Sequence, residues 1–207
     1  MLVSTPRIIT LEELRLLALR AIGLINAIYL HWTAGRYNQC FDDYHLNIGK
    51  NGEIYLTCDD LTELKAHTWH RNSGASGVTL CCGFQAEAGY QKSNAPPNIN
   101  FGPCPPTQAQ IETMAKVIAV ITEALDLDIS EETVLTHQEA AALDGYGPGS
   151  GDAETRWDLW YLPDLPITDR LVQGGRVLRG KAIWYRARFL QEKENAKWHN
   201  SMMLQEN

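Results

Sequence analysis

Apolar side chains recur at Leu11, Leu14, Leu17, Ala18, Ala21 and Ile22, the spacing of one helix face. Thr10 and Glu13 stand at its start as a T-x-x-E capping box, and Gly23 marks its expected end. The pattern then changes. Ala27 to Thr33 is a short apolar run rich in β-branched and aromatic residues, which predicts a buried strand. Tyr44 to Ile48 and Glu53 to Cys58 flank Lys50-Asn51-Gly52 and predict a hairpin, because Asn and Gly tolerate positive φ. Asp60 to Ala66 reads as a short helix and Gly77 to Cys82 as a third strand. Tyr90 to Pro106 holds five prolines and little periodicity, and reads as a loop.

Thr107 to Gln110 is a second capping box. Ile111, Met114, Ala115, Ile118, Ile121 and Leu125 follow it as the best amphipathic helix in the chain. Val134 to Thr136 predicts a brief strand ending at His137. Gly145 to Gly151 is glycine-rich but lacks the Lys-Ser/Thr of a phosphate loop. A last helix with a polar end is expected after Lys181. Helices and strands are mixed throughout with no internal repeat and no linker, which predicts one α/β sheet packed by helices.

Composition narrows the function. The 207 residues suit one domain, and 44% apolar content suffices for a core. A net charge of -7 argues against a nucleic-acid partner, whose binding rests on Lys and Arg. The apolar stretch from Leu11 to Leu30 is interrupted by Glu12, Glu13, Arg15 and Arg20, so neither a membrane span nor a signal peptide is expected. The expected place of synthesis is the cytoplasm. Cys40, Cys58, Cys81, Cys82 and Cys104 are odd in number and without CxxC spacing, so they read as reduced thiols.

No HExxH is present. His31 and His137 each stand where a predicted strand gives way to a loop, the place where α/β folds hold ligands. Catalytic zinc takes three protein donors and keeps one open position. Two imidazoles and a carboxylate satisfy it, and Asp158 and Asp152 both stand downstream as the third donor. Arg156 lies two residues before Asp158 and shares its face in an extended segment. A cysteine hydrolase using Cys40 or Cys58 is the competing chemistry.

Five pieces occur in one order: Ile28 to Gly35; Tyr44 to Ile48 with Asn51 to Tyr55; His67, Asn72 and Gly77 to Leu80; Thr136 to Glu139; and Arg156 to Asp158. In these pieces the chain resembles the zinc N-acetylmuramoyl-L-alanine amidases, a family that includes amidase-type phage lysozymes and peptidoglycan recognition proteins. The resemblance spans roughly residues 27 to 165. It implies a mixed central β-sheet flanked by helices. It implies Zn2+ held by His31, His137 and Asp158, with Tyr44 and Arg156 as catalytic groups beside it. His67, Asn72 and Trp32 are expected along the substrate groove. Two departures stand out. The connection from His137 to Asp158 is long, and Val78 to Cys82 offers no glutamate where some relatives carry one.

The domain expectation is an N-terminal helical segment over 1–26, the catalytic domain over 27–165 and a partly helical extension over 166–207. The expected partner is bacterial peptidoglycan or its muropeptides, with no nucleic acid and no stable membrane insertion. The expected setting is a phage or prophage endolysin that reaches the wall after release. A non-catalytic peptidoglycan-binding module, a wall-recycling amidase and an exported toxin are the alternatives.

Overall fold

The structure is a computed structural model and describes residues 1–89, 97–152, 155–165 and 167–203. Its elements in chain order are β1 (Leu2–Val3), β2 (Arg7–Ile9), α1 (Leu11–Leu19), β3 (Ala27–Trp32), β4 (Cys40–Phe41), β5 (Leu46–Ile48), β6 (Ile54–Leu56) and β7 (Ala75–Leu80). There follow β8 (Glu87–Gly89), β9 (Asn98–Asn100), α2 (Gln108–Ala124), β10 (Val134–Thr136), α3 (His137–Leu143), β11 (Tyr161–Asp164), β12 (Ile167–Gln173) and α4 (Gly174–Met203). The central sheet has six strands in the order β10-β3-β7-β5-β6-β2. The first four are parallel neighbours, whereas β6 and β2 join antiparallel. This is the mixed α/β sheet that the resemblance implied.

Both expected capping boxes form. Thr10 accepts from the Glu13 amide at 3.1 Å, and Thr107 accepts from the Gln110 amide at 3.1 Å. The Gln110 side chain also donates to the Ile48 and Cys81 carbonyls at 3.0 Å each, so this cap ties α2 to the sheet. The Asn51-Gly52 hairpin forms with Ile48 opposite Ile54 and Gly52 at φ +91°.

Alternation along β3 divides the molecule. Ile28, Leu30 and Trp32 enter the main core with residues of α1, α2 and α4. Ala27 and Tyr29 point the other way and pack with Ala75, Leu135 and Ala140 of α3. Parallel pairing sets Tyr29 beside Gly77 and His31 beside Thr79 on this second face.

Several expectations change. Residues 60–66 form turns, not a helix. The Asp60 carboxylate accepts from the Thr62 amide and hydroxyl, and Glu63 accepts from the Asp59 and Asp60 amides. These side chains satisfy the backbone locally and stop a helix from propagating. Helix α1 ends at Leu19, before Gly23. Helix α4 begins at Gly174, before Lys181, and follows a β11–β12 hairpin that the pattern did not reveal. Within the expected Tyr90–Pro106 loop, residues 90–96 lie outside those described, and Asn98–Asn100 pairs with Glu87–Gly89. The five thiols are free, four of them buried.

Candidate metal centre

His31 and His137 come together because β10 pairs with β3. Thr136, the last residue of β10, lies opposite Leu30, which sets His137 next to His31. Neither is followed directly by a loop as expected. His31 is the fifth residue of β3, and His137 opens α3. Thr136 caps that helix, accepting from the Glu139 amide at 3.2 Å while the Glu139 carboxylate takes the Thr136 amide at 2.9 Å. The helix therefore starts at a fixed residue, and the His137 ring is carried on a defined backbone.

The three groups converge closely. His31 Nδ1 lies 3.1 Å from His137 Nδ1 and 3.2 Å from an Asp158 oxygen; the other Asp158 oxygen lies 3.1 Å from His137 Nδ1. All three residues are buried. Burial drives the His31 pKa down to about 4, against the pull of Asp158. Burial works against the Asp158 carboxylate too, but His137 and His31 facing it outweigh that and hold its pKa well below the usual carboxylate range. Around His31, Nε2 lies 3.2 Å from Thr68 Oγ1, which in turn lies 2.9 Å from His67 Nδ1. When Nε2–H donates to Thr68, Nδ1 keeps its lone pair toward the cluster, as a metal-ligating His requires.

This donor set fits a zinc ion. Two imidazole lone pairs and a carboxylate converging in a buried space are all acceptors, and a shared cation satisfies them together. Donors held tetrahedrally at zinc distances of 2.0–2.1 Å stand about 3.3 Å apart. The observed 3.1–3.2 Å is close to that spacing. Among the described residues, His31, His137 and Asp158 form the group able to hold a metal.

The other expected site residues surround this cluster. Tyr44 sits two residues ahead of β5, not within a strand, with its ring centroid 5.0 Å from that of His31. Burial and then Asp158 push its pKa far up, so the phenol stays protonated. His67 is buried under β7, with its pKa driven down to about 2 chiefly by burial. A Cβ at Gly77 would sit 2.6 Å from the His67 ring, so glycine there makes room for the imidazole. Asn72 accepts from the Thr68 amide at 2.8 Å and holds the loop that carries His67 and Thr68.

Two hollows meet over the cluster. One of about 590 Å³ is lined by residues that include His67, Trp69, Asn72, Tyr146 and Asp152; one of about 330 Å³ by residues that include Trp32, Gly83, Trp157 and Asp158. Tyr44, His137 and Arg156 line both. Asp152 is exposed on a wall, whereas Asp158 is buried against the histidines. Trp32 borders the smaller hollow but is 6% exposed and packs edge-on against Trp157 at 4.8 Å. Trp69, which the sequence reading passed over, is 61% exposed and meets Tyr146 edge-on at 5.5 Å. The long connection before Asp158 begins inside α3, and Arg71 clamps it by two 2.6 Å bonds to Asp144. Residues 153–154 of that connection lie outside those described.

The competing thiol chemistry has no support here. Cys40 Sγ lies 3.8 Å from Cys81 Sγ. Cys58 donates to the His45 carbonyl, and burial raises its pKa to about 12.

No curated protein and no solved structure matches the chain. A family model described as N-acetylmuramoyl-L-alanine amidase matches residues 22–150. That span is more than half of the chain and contains His31, Tyr44, His67 and His137. With the fold and the converging histidines, it leads to one conclusion: the chain belongs to the N-acetylmuramoyl-L-alanine amidase family.

Proposed function

We propose that this protein cleaves the amide between N-acetylmuramic acid and L-alanine in bacterial peptidoglycan, with one Zn2+ held by His31, His137 and Asp158. The observation that carries the proposal is the 3.1–3.2 Å convergence of those donors beneath two joined hollows. A zinc ion there supplies Lewis acidity that polarises an amide carbonyl and acidifies water near neutral pH.

The chain's own groups do the rest. Hydrolysis adds water across the carbonyl carbon–nitrogen bond; a proton ends on the departing L-alanine nitrogen and the carbonyl becomes a carboxylate. Arg156, on the wall shared by both hollows, stabilises the oxyanion that develops at the carbonyl. Tyr44 is protonated at working pH, so it acts as a hydrogen-bond donor and not as a base. Two hollows on either side of the scissile bond suit a substrate with a glycan arm and a peptide arm. His67, Asn72 and Trp32 frame that groove, with Trp69 and Tyr146 beside them. We take residues 27–165 as the catalytic unit; 1–26 adds α1 and the sheet-edge strand β2 to it, and the extension after residue 165 adds α4.

We take the setting to be an endolysin, on the likeness to phage amidases. No helix among the described residues is long and apolar enough to cross a membrane. Zinc content tests the metal reading. One equivalent per chain, loss of wall clearing with a chelator and recovery with zinc support it. Full clearing by metal-free protein sinks it. Expression that lyses cells only once the inner membrane is permeabilised supports the endolysin setting.

A further inference from the structure

Helix α4 lies beyond the residues matched by the family model, yet its first six residues touch both segments that carry the second and third donors. Gly174 donates its amide to the Trp160 carbonyl at 3.0 Å. A Cβ on Gly174 would collide with the Leu159 carbonyl, and one on Gly175 with the Glu139 carboxylate. Leu159, fully buried at φ +59°, directly follows Asp158. Five residues on, about 7.5 Å along the helix, Arg179 is 7% exposed. It donates to Glu139 through both nitrogens, at 2.8 and 3.0 Å, and to the Val134 carbonyl at 2.9 Å. Glu139 is the residue that closes the cap on which His137 sits.

We infer that Gly174, Gly175 and Arg179 form a brace that sets His137 and Asp158 in register with each other, making α4 part of the metal site's support. This rests on the zinc reading above. Stability alone gives little reason to bury an arginine, since a buried ion pair often does no better than apolar packing of similar volume. A bidentate fork does fix orientation. Here the fork grips the carboxylate two residues from His137, while the same helix end seals the turn one residue after Asp158. The chain leaves Asp158 and returns through the β11–β12 hairpin to this one helix end, so both junctions are referred to one rigid element. These are positioning residues; none reaches the substrate hollows among the described linings.

The test compares Arg179→Met, Arg179→Lys and Gly175→Ala with Tyr185→Phe, which removes a 2.7 Å bond from the same helix to Glu112, away from the site. Zinc affinity is read by competition with a chromophoric chelator, geometry by the visible spectrum of Co2+-loaded protein, and stability by the Tm of metal-free protein. Arg179→Met should weaken zinc by about 10–100-fold, the usual cost of losing a partner that orients a ligand, and should alter the Co2+ spectrum. Arg179→Lys should recover only part, because an ammonium cannot reproduce the fork. Tyr185→Phe should lower Tm without moving either metal readout. If Arg179→Met does not fold, Gly175→Ala and Arg179→Lys carry the comparison. Zinc affinity and spectrum equal to wild type in the folded variants overturn the brace and leave the site intact. A wild-type protein that binds no zinc overturns the metal reading instead. The brace is then judged by amide exchange over residues 136–143, faster in the Arg179 variants than in Tyr185→Phe if it stands and equal if it does not.

Discussion

Ile28, Leu30 and Trp32 leave β3 on one side, and Tyr29 and His31 leave it on the other. Both sides are buried, but they are held by different physics. The helical side is packed by area, with Leu30, Leu46, Ile48, Leu80, Met114 and Ile118 fully buried against one another. The other side carries His31, His45, Asn47, Thr79 and His67, and each polar atom there needs a partner. Asn47 accepts from the Phe41 amide and donates to the Phe41 carbonyl and Thr57 hydroxyl. His45 Nδ1 accepts from the Gly77 amide at 2.9 Å, so its Nε2–H donates to the Glu63 carbonyl at 2.8 Å. The difference teaches where to look for chemistry. Asn47 and His45, on and just ahead of the interior strand β5, are consumed in holding the loops around it, whereas His31, His137 and Asp158 turn acceptors toward one another.

The largest effect that should break this contrast is His31→Ala. It removes one of three donors and should cost more than the roughly 100-fold in zinc affinity that an outer partner costs, with cleavage lost alongside. Isothermal titration with zinc and a turbidity assay on purified walls check both. Next is Arg156→Ala, which should lower kcat by about 10²–10³ with zinc retained, as loss of an oxyanion donor does. Near-normal digestion by that variant would remove Arg156 from the chemistry.

On the helical face, Leu30→Ala should instead act on stability. It leaves a cavity at a fully buried site and should cost about 2–5 kcal/mol, while zinc affinity and kcat of the folded fraction stay near wild type. Urea melts beside zinc titrations would show it. A variant that loses zinc in proportion to stability would mean that the two faces are not separable.

The smallest effect concerns pH. Burial lowers the His45 pKa from 6.5 to about 4. Between those values the unfolded state binds more protons than the folded one, so stability is full above pH 6.5 and falls as the pH drops through the window. By pH 5.5 the loss from this group is about 1.4 kcal/mol. His45→Gln should flatten that part of the stability profile, read by denaturant melts from pH 7 to 4. An unchanged slope would mean that His45 is not the group responsible.

Much of this arrangement was legible in the sequence, and what escaped has physical reasons. Thr10 and Thr107 announced their helices because a capping box is local. Thr136 with Glu139 carries the same signature, but the apolar run before it predicts a strand that ends in a loop, and two elements sharing Thr136 hide the helix. The apolar run of β3 and the Asn51-Gly52 turn are local signals too. Asp60-Leu61-Thr62-Glu63 looked helical, yet its carboxylates bond their own backbone. Strand β11 contains Pro163, which masked it. Arg179 and Glu139 are forty residues apart, and no local pattern reports such a pair. Of the two aspartates offered as third donor, spacing favoured neither; burial separates them, with Asp158 at 7% exposure and Asp152 exposed.

The central claim is the bond that this site cuts, and mass spectrometry of digested peptidoglycan tests it most directly. The account predicts free stem peptides with a new amino terminus on L-alanine, and glycan chains whose muramic acids carry a free lactyl carboxylate. His31→Ala should yield neither. New reducing ends on the glycan, cuts within the stem peptide, or the same products from His31→Ala would contradict it.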